Sequence, residues 1–82
     1  METKQHKIIV YSTNTCPYCD MVKNFFRENN IKFTDINVQE SKEKAKEMIK
    51  KSGQMGVPVI DIDGHIMVGF DKHRLKELLG MK

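Results

Sequence analysis

Hydrophobic and polar positions alternate along the chain with changing period, and the changes mark out a sequence of short elements. The segment KIIVYS, residues 7–12, is almost continuously apolar, which predicts a central strand covered on both faces. From Pro17 onward Met21, Val22, Phe25 and Phe26 recur at helical spacing, and ENN at 28–30 marks the end of that helix. IKFTDINV, residues 31–38, alternates with a slip near Thr34 and predicts a second strand. Ser41 then precedes KEKAKEMIKKSG as a helix N-cap, Ala45, Met48 and Ile49 form a narrow apolar stripe, and Gly53 supplies a stop. This second helix is expected to be largely exposed. PVIDID, residues 58–63, alternates so that Asp61 and Asp63 point to solvent. Asp63-Gly64 is a hairpin signal, and HIMV returns as an antiparallel strand. Last comes DKHRLKELLGMK, with Asp71 as N-cap, Leu75, Leu78 and Leu79 on one face and Gly80 as a stop.

The predicted order is β-α-β-α-β-β-α, an α/β arrangement in which three helices flank a four-stranded mixed sheet. Crossover handedness places the first helix on one face and the second on the other. No repeat, low-complexity tract or linker interrupts the chain, so residues 1–82 are read as a single domain. A domain of this size buries only about 60% of the surface its unfolded chain exposes, so its core must be well patterned. Phe25, Phe26, Phe33 and the last helix's leucines are assigned to that core. The six methionines read as gap fillers within it, and Tyr11 as packing.

Charge narrows the partners. Fourteen basic against 11 acidic side chains give a net +3, concentrated in KEKAKEMIKK at 42–51. Its signs are interleaved and no aromatic residues break it up, which points to a solvated helix face rather than a base-stacking nucleic-acid platform. The N-terminal METKQHKIIVYS lacks a signal peptide's apolar region, and no apolar run approaches bilayer length. A cytoplasmic monomer with neither membrane nor nucleic-acid partner is expected.

The chemistry sits in TNTCPYCDMV, residues 13–22, which holds both cysteines. A bridge across so short a loop would constrain the unfolded chain little, so the pair is poorly placed as a staple. His6, His65 and His73 lack the spacing to complete a zinc site, so no metal is expected. If Cys16 caps the helix and Pro17 takes its first position, the free N–H groups of Tyr18 and Cys19 point back at the Cys16 sulfur. Those donors and the helix dipole favour thiolate over thiol. Cys19, three residues on, stands ready to close a disulfide as the resolving partner of an exposed attacking thiol. Further along, Pro58 opens a strand, where a proline cannot donate to the ladder. Two readings fit: a plain strand-start proline, or a cis Val57-Pro58 bond that leaves the Val57 backbone free to pair with an extended substrate.

CPYC after a VYS strand, followed by VPVIDIDG and by GFD before the last helix, resembles the glutaredoxins over nearly the whole chain. The resemblance implies a thioredoxin fold and an enzyme that reduces protein disulfides and glutathione mixed disulfides, with glutathione as co-substrate and no permanently bound cofactor. It implies that Cys16 is the nucleophile and Cys19 the resolving thiol. Tyr18, Val57, Pro58, Gly69, Phe70 and Asp71 would then bind glutathione. Thr13 stands where many members carry lysine, Gly56 where threonine is usual, Val68 at the first glycine of a Gly-Gly pair and Lys72 at a frequent second aspartate. VPVI and GF also resemble the small glutaredoxin-like redoxins that serve ribonucleotide reductase and take electrons from thioredoxin reductase. A third alternative, an iron-sulfur cluster held through Cys16 and glutathione, is opposed by Pro17, because cluster-binding members usually lack that proline.

Overall fold

The structure, a computed structural model, describes residues 6–80. The elements follow the expected order: β1 (Ile8–Ser12), α1 (Pro17–Glu28), β2 (Thr34–Asn37), α2 (Lys42–Ser52), β3 (Val59–Ile62), β4 (His65–Val68) and α3 (Lys72–Leu79). The strands lie in the order β2-β1-β3-β4, with β1 parallel to β2 and antiparallel to β3, and β4 antiparallel to β3. This mixed sheet with helices on both faces is the thioredoxin fold.

Alternation along the two central strands divides the core. Ile8, Val10, Ile60 and Ile62 face α1 and α3, where Val22, Phe25, Phe26, Leu75 and Leu79 cover them. Tyr11 and Val59 face the opposite way and pack with Met48 of α2, ringed by Ile9, Ile36, Ile49, Val57 and Ile66. The first and second helices therefore lie on opposite faces, as crossover handedness requires.

Local signals explain the ends. Ser41 accepts from the Lys44 N–H at 3.2 Å and Asp71 from the Arg74 N–H at 3.2 Å, while Gly53 and Gly80 close their helices in the left-handed conformation. The β3–β4 turn has positive φ at both central residues, Asp63 (52°) and Gly64 (93°), as a two-residue hairpin demands.

Three expectations need correction. The second strand begins only at Thr34, because the Ile31 N–H closes α1 by donating to the Phe26 carbonyl at 2.8 Å. Ile31 and Phe33 reach the first core from the connection, not from a strand. Asp61 does not face solvent: β3 is a central strand with a helix over each face, and Asp61 is only 9% exposed beneath α2. The methionines divide: Met48 and Met67 fill the core, whereas Met21 and Met55 stand at the surface, the inward stripe of α1 being already filled by Val22, Phe25 and Phe26. Met1 and Met81 lie outside the described residues.

Candidate active site

β1, β3 and β4 bring three segments to one end of the sheet. Pairing Tyr11 with Val59 and Val59 with Val68 sets the chain leaving β1 towards Cys16 beside the start of β3 and the end of β4. The loop out of β1 is pinned from the β2 side. The Asn14 N–H donates to Gln39 Oε1 at 2.6 Å, the Gln39 N–H to Asn37 Oδ1 at 2.8 Å, and the Val38 N–H to the Ser12 carbonyl at 2.9 Å.

Cys16 is the N-cap of α1, with extended backbone (φ −138°, ψ 96°) and Pro17 beginning the helix. Its sulfur accepts the Cys19 N–H at 3.1 Å, and its carbonyl accepts the Asp20 N–H at 3.1 Å. Of the two N–H groups expected to reach this sulfur, the structure brings that of Cys19. The cysteines form a disulfide across a Cα separation of 5.2 Å. Cys16 is less open than its sequence position suggested, at 8% exposed, but Cys19 is wholly covered, so of the two only the first cysteine has surface to offer.

One helical turn past Cys19, Lys23 ties α1 to β2: its Nζ lies 3.0 Å from Asp35 Oδ2, while the buried Ser12 hydroxyl donates to Asp35 Oδ1 at 2.7 Å. The helix carrying the disulfide is thereby fixed to both parallel strands.

On the other side, Val57-Pro58 is cis, and the Gly69 N–H donates to the Pro58 carbonyl at 2.9 Å, so VPV and GFD are joined directly. The Val57 N–H and carbonyl have no partner among the described residues. Tyr18 is 62% exposed on the first turn of α1. Phe70 is half-buried and meets Phe25 edge-on, with centroids 6.4 Å apart. Asp71 is exposed, but its carboxylate already accepts the Arg74 N–H.

A polar cluster invisible to the pattern lies on the α2 side. The Tyr11 hydroxyl donates to Glu47, and Lys51 Nζ donates to the Tyr11 oxygen at 2.8 Å and to Asp61 Oδ2 at 2.9 Å. Hydrogen bonds to Tyr11 and then Asp61 hold the Lys51 ammonium well above its ordinary pKa. Burial, then the bond to Glu47, raises the Tyr11 phenol, and the same bond holds the Glu47 carboxyl below its usual range. Nothing in the alternation of VIDID marked Asp61 as inward; the central position of the strand was the available signal.

The glutaredoxin family model matches residues 8–67, from the first strand through the hairpin. The chain belongs to the glutaredoxin family. This glutaredoxin is 46% identical over 72 residues to the "uncharacterized glutaredoxin-like 8.6 kDa protein in rubredoxin operon" of Clostridium pasteurianum, covering 88% of this chain and 96% of that one. It is 37% identical over 71 residues to the glutaredoxin-like protein NrdH of Lactococcus lactis subsp. cremoris, covering 87% and 97%. A mutant form of the thioredoxin-like protein BC3987 superposes with a TM-score of 0.87 at 29% identity, covering 93% of this chain and 97% of that one. Membership and the bonded CPYC pair make the chain a thiol-disulfide oxidoreductase. Among the described residues no helix is long and apolar enough to cross a membrane.

Proposed function

We propose that the protein reduces protein disulfides and glutathione mixed disulfides by a cycle between Cys16 and Cys19, with glutathione restoring the dithiol in the cytoplasm. The observation that carries this is the unequal pair itself: Cys16 at the helix start with an N–H aimed at its sulfur, and Cys19 sealed behind it. In the reduced protein that N–H and the helix N-terminus favour a Cys16 thiolate. The thiolate attacks one sulfur of the target disulfide, forming a mixed disulfide and releasing the other sulfur as a thiolate. Cys19 then attacks the Cys16 sulfur and expels the second target thiolate. Two electrons pass to the target, the Cys16–Cys19 disulfide remains, and the cysteine protons end on the released thiols.

Glutathione would lie with its cysteine backbone on the free Val57 edge against Pro58. Tyr18 would flank it, and the Gly69, Phe70 and Asp71 backbone would meet its γ-glutamyl end. Support for this is the junction of Pro58 with Gly69 and the unpartnered Val57 amide. A second reading is favoured by the full-length likeness to NrdH: a redoxin recharged by thioredoxin reductase that donates electrons to ribonucleotide reductase. Turnover of one disulfide substrate with glutathione, glutathione reductase and NADPH is compared with turnover with thioredoxin reductase and NADPH. Activity in the first system supports glutathione as donor; activity in the second alone transfers the protein to the redoxin reading.

A further inference from the structure

We propose that Gln54 is a positioning residue for polypeptide substrates, holding the α2–β3 connection so that Met55 projects as an apolar anchor for an extended, cysteine-bearing segment. The Gln54 side chain folds back on its own loop. Its Oε1 accepts the Gly56 N–H at 2.7 Å and its Nε2 donates to the Gly56 carbonyl at 2.9 Å, so one carboxamide satisfies both backbone groups of a single residue. Ser52 completes the brace, its hydroxyl lying 2.8 Å from the Met48 carbonyl of α2 and 3.0 Å from the Gln54 carbonyl, so that its one proton serves either. A side chain at Gly56 would bring its Cβ to 2.8 Å from Gln54 Oε1, so glycine is what lets the clip close.

The clip has two effects. It removes the Gly56 backbone from any pairing with a substrate, while the Val57 N–H and carbonyl stay without a partner among the described residues. It also places Met55 at the tip of a braced loop with 77% of its surface exposed. The large hydrophobic residues exposed among the described residues are Tyr18, Met21, Met55 and Val68. Tyr18 and Met21 follow Cys16 on the early turns of α1, Val68 pairs with the residue after Pro58, and Met55 lies three residues before it. The opposite end of the sheet shows polar groups instead, with His6 Nδ1 and the Lys7 N–H both bonded to Asp63. An extended segment fits this asymmetry: its backbone pairs with Val57, its cysteine meets Cys16, and an apolar neighbour rests on the pliable Met55 thioether. Small disulfides reach Cys16 without touching the loop.

The inference rests on the exchange reaction proposed above, so the test separates the two. Pre-reduced protein is mixed in a single turnover with insulin or with hydroxyethyl disulfide, for the wild type, Gln54→Ala, Met55→Ser, Met55→Leu and the double variant Gln54→Ala/Met55→Ser. Each of Gln54→Ala and Met55→Ser is expected to slow insulin reduction about five- to tenfold, the scale of a modest interface hot spot. Hydroxyethyl disulfide should stay within about twofold, Met55→Leu should restore the insulin rate, and the double variant should be no slower than Met55→Ser, since both act through one contact. Equal slowing of both substrates, no slowing of insulin, or additive losses in the double variant would overturn the assignment. A wild type inert towards both substrates would instead indict the exchange reaction.

Discussion

Towards α1 and α3 the central strands present Ile8, Val10, Ile60 and Ile62, with a polar group, Ser12, only at the end of β1, whereas towards α2 they present Tyr11 and Asp61 beside Val59. The first pair of helices answers with Phe26, Val22 and Leu75; the second helix answers with Met48 and with Glu47 and Lys51. The helix that starts at Cys16 is thus held mainly by packing, which has no direction and no titration, with the Lys23–Asp35 pair beside it. The helix that leads into the Pro58 loop is held by fewer apolar contacts and a set of directed, charged bonds. Packing gives the disulfide a platform whose buried part carries no titrating group, while the charged bonds fix where the end of α2 sits on the sheet and so where the loop of Gln54 and Met55 begins.

That contrast can be broken most forcefully on the apolar side. Phe26→Ala removes a fully buried ring and is expected to cost about 3–5 kcal/mol, measured by denaturant unfolding, with the same loss at neutral and alkaline pH. On the polar side Lys51→Met should cost less, about 1–3 kcal/mol, because Asp61 keeps the Gly64 N–H on Oδ1 at 2.8 Å after losing its ammonium partner. A loss from Lys51→Met as large as that from Phe26→Ala would mean that charge, not packing, dominates both faces.

The smallest effect is the most specific. Lys51 and Tyr11 both have folded pKa values raised above their unfolded ones. Their contribution is therefore fully present below about pH 10 and lost as pH rises through the raised values. Glu47, lowered in the fold, contributes above its unfolded value of about 4.3 and loses that contribution as pH falls through the folded value. Wild-type stability should decline on the alkaline side, and Tyr11→Phe with Lys51→Met should flatten that decline. An unchanged alkaline limb in the double variant would show that the cluster does not set it.

Much of this architecture is legible in the chain because each local signal agrees with the global one. Ser41, Asp71, Gly53 and Gly80 punctuate helices where they should, and Asp63-Gly64 turns the hairpin it announces. The failures share a cause. Alternation in VIDID states that successive side chains point opposite ways, but not whether the far side is water or a helix; only the strand's place in the sheet decides Asp61. Composition treats methionine as core filler, and it says nothing of the α1 stripe already filled beside Met21 or of the connection that carries Met55. At the site, the Cys16 cap is readable from spacing and residue type, whereas Pro58 leaves a cis bond and a plain strand start open until the backbone is seen. The Gln54 clip is not readable, since it depends on a side chain returning to backbone two residues on.

The proposed division of labour between Cys16 and Cys19 is tested most directly by trapping the intermediate. Pre-reduced Cys19→Ser and Cys16→Ser are each mixed with glutathione disulfide, quenched with acid and mapped by mass spectrometry. Cys19→Ser should accumulate one glutathione on Cys16, and Cys16→Ser should carry none, because its remaining sulfur is wholly covered in the fold. Ready adduct formation on Cys19, with Cys16 unmodified in the other variant, would contradict the assignment.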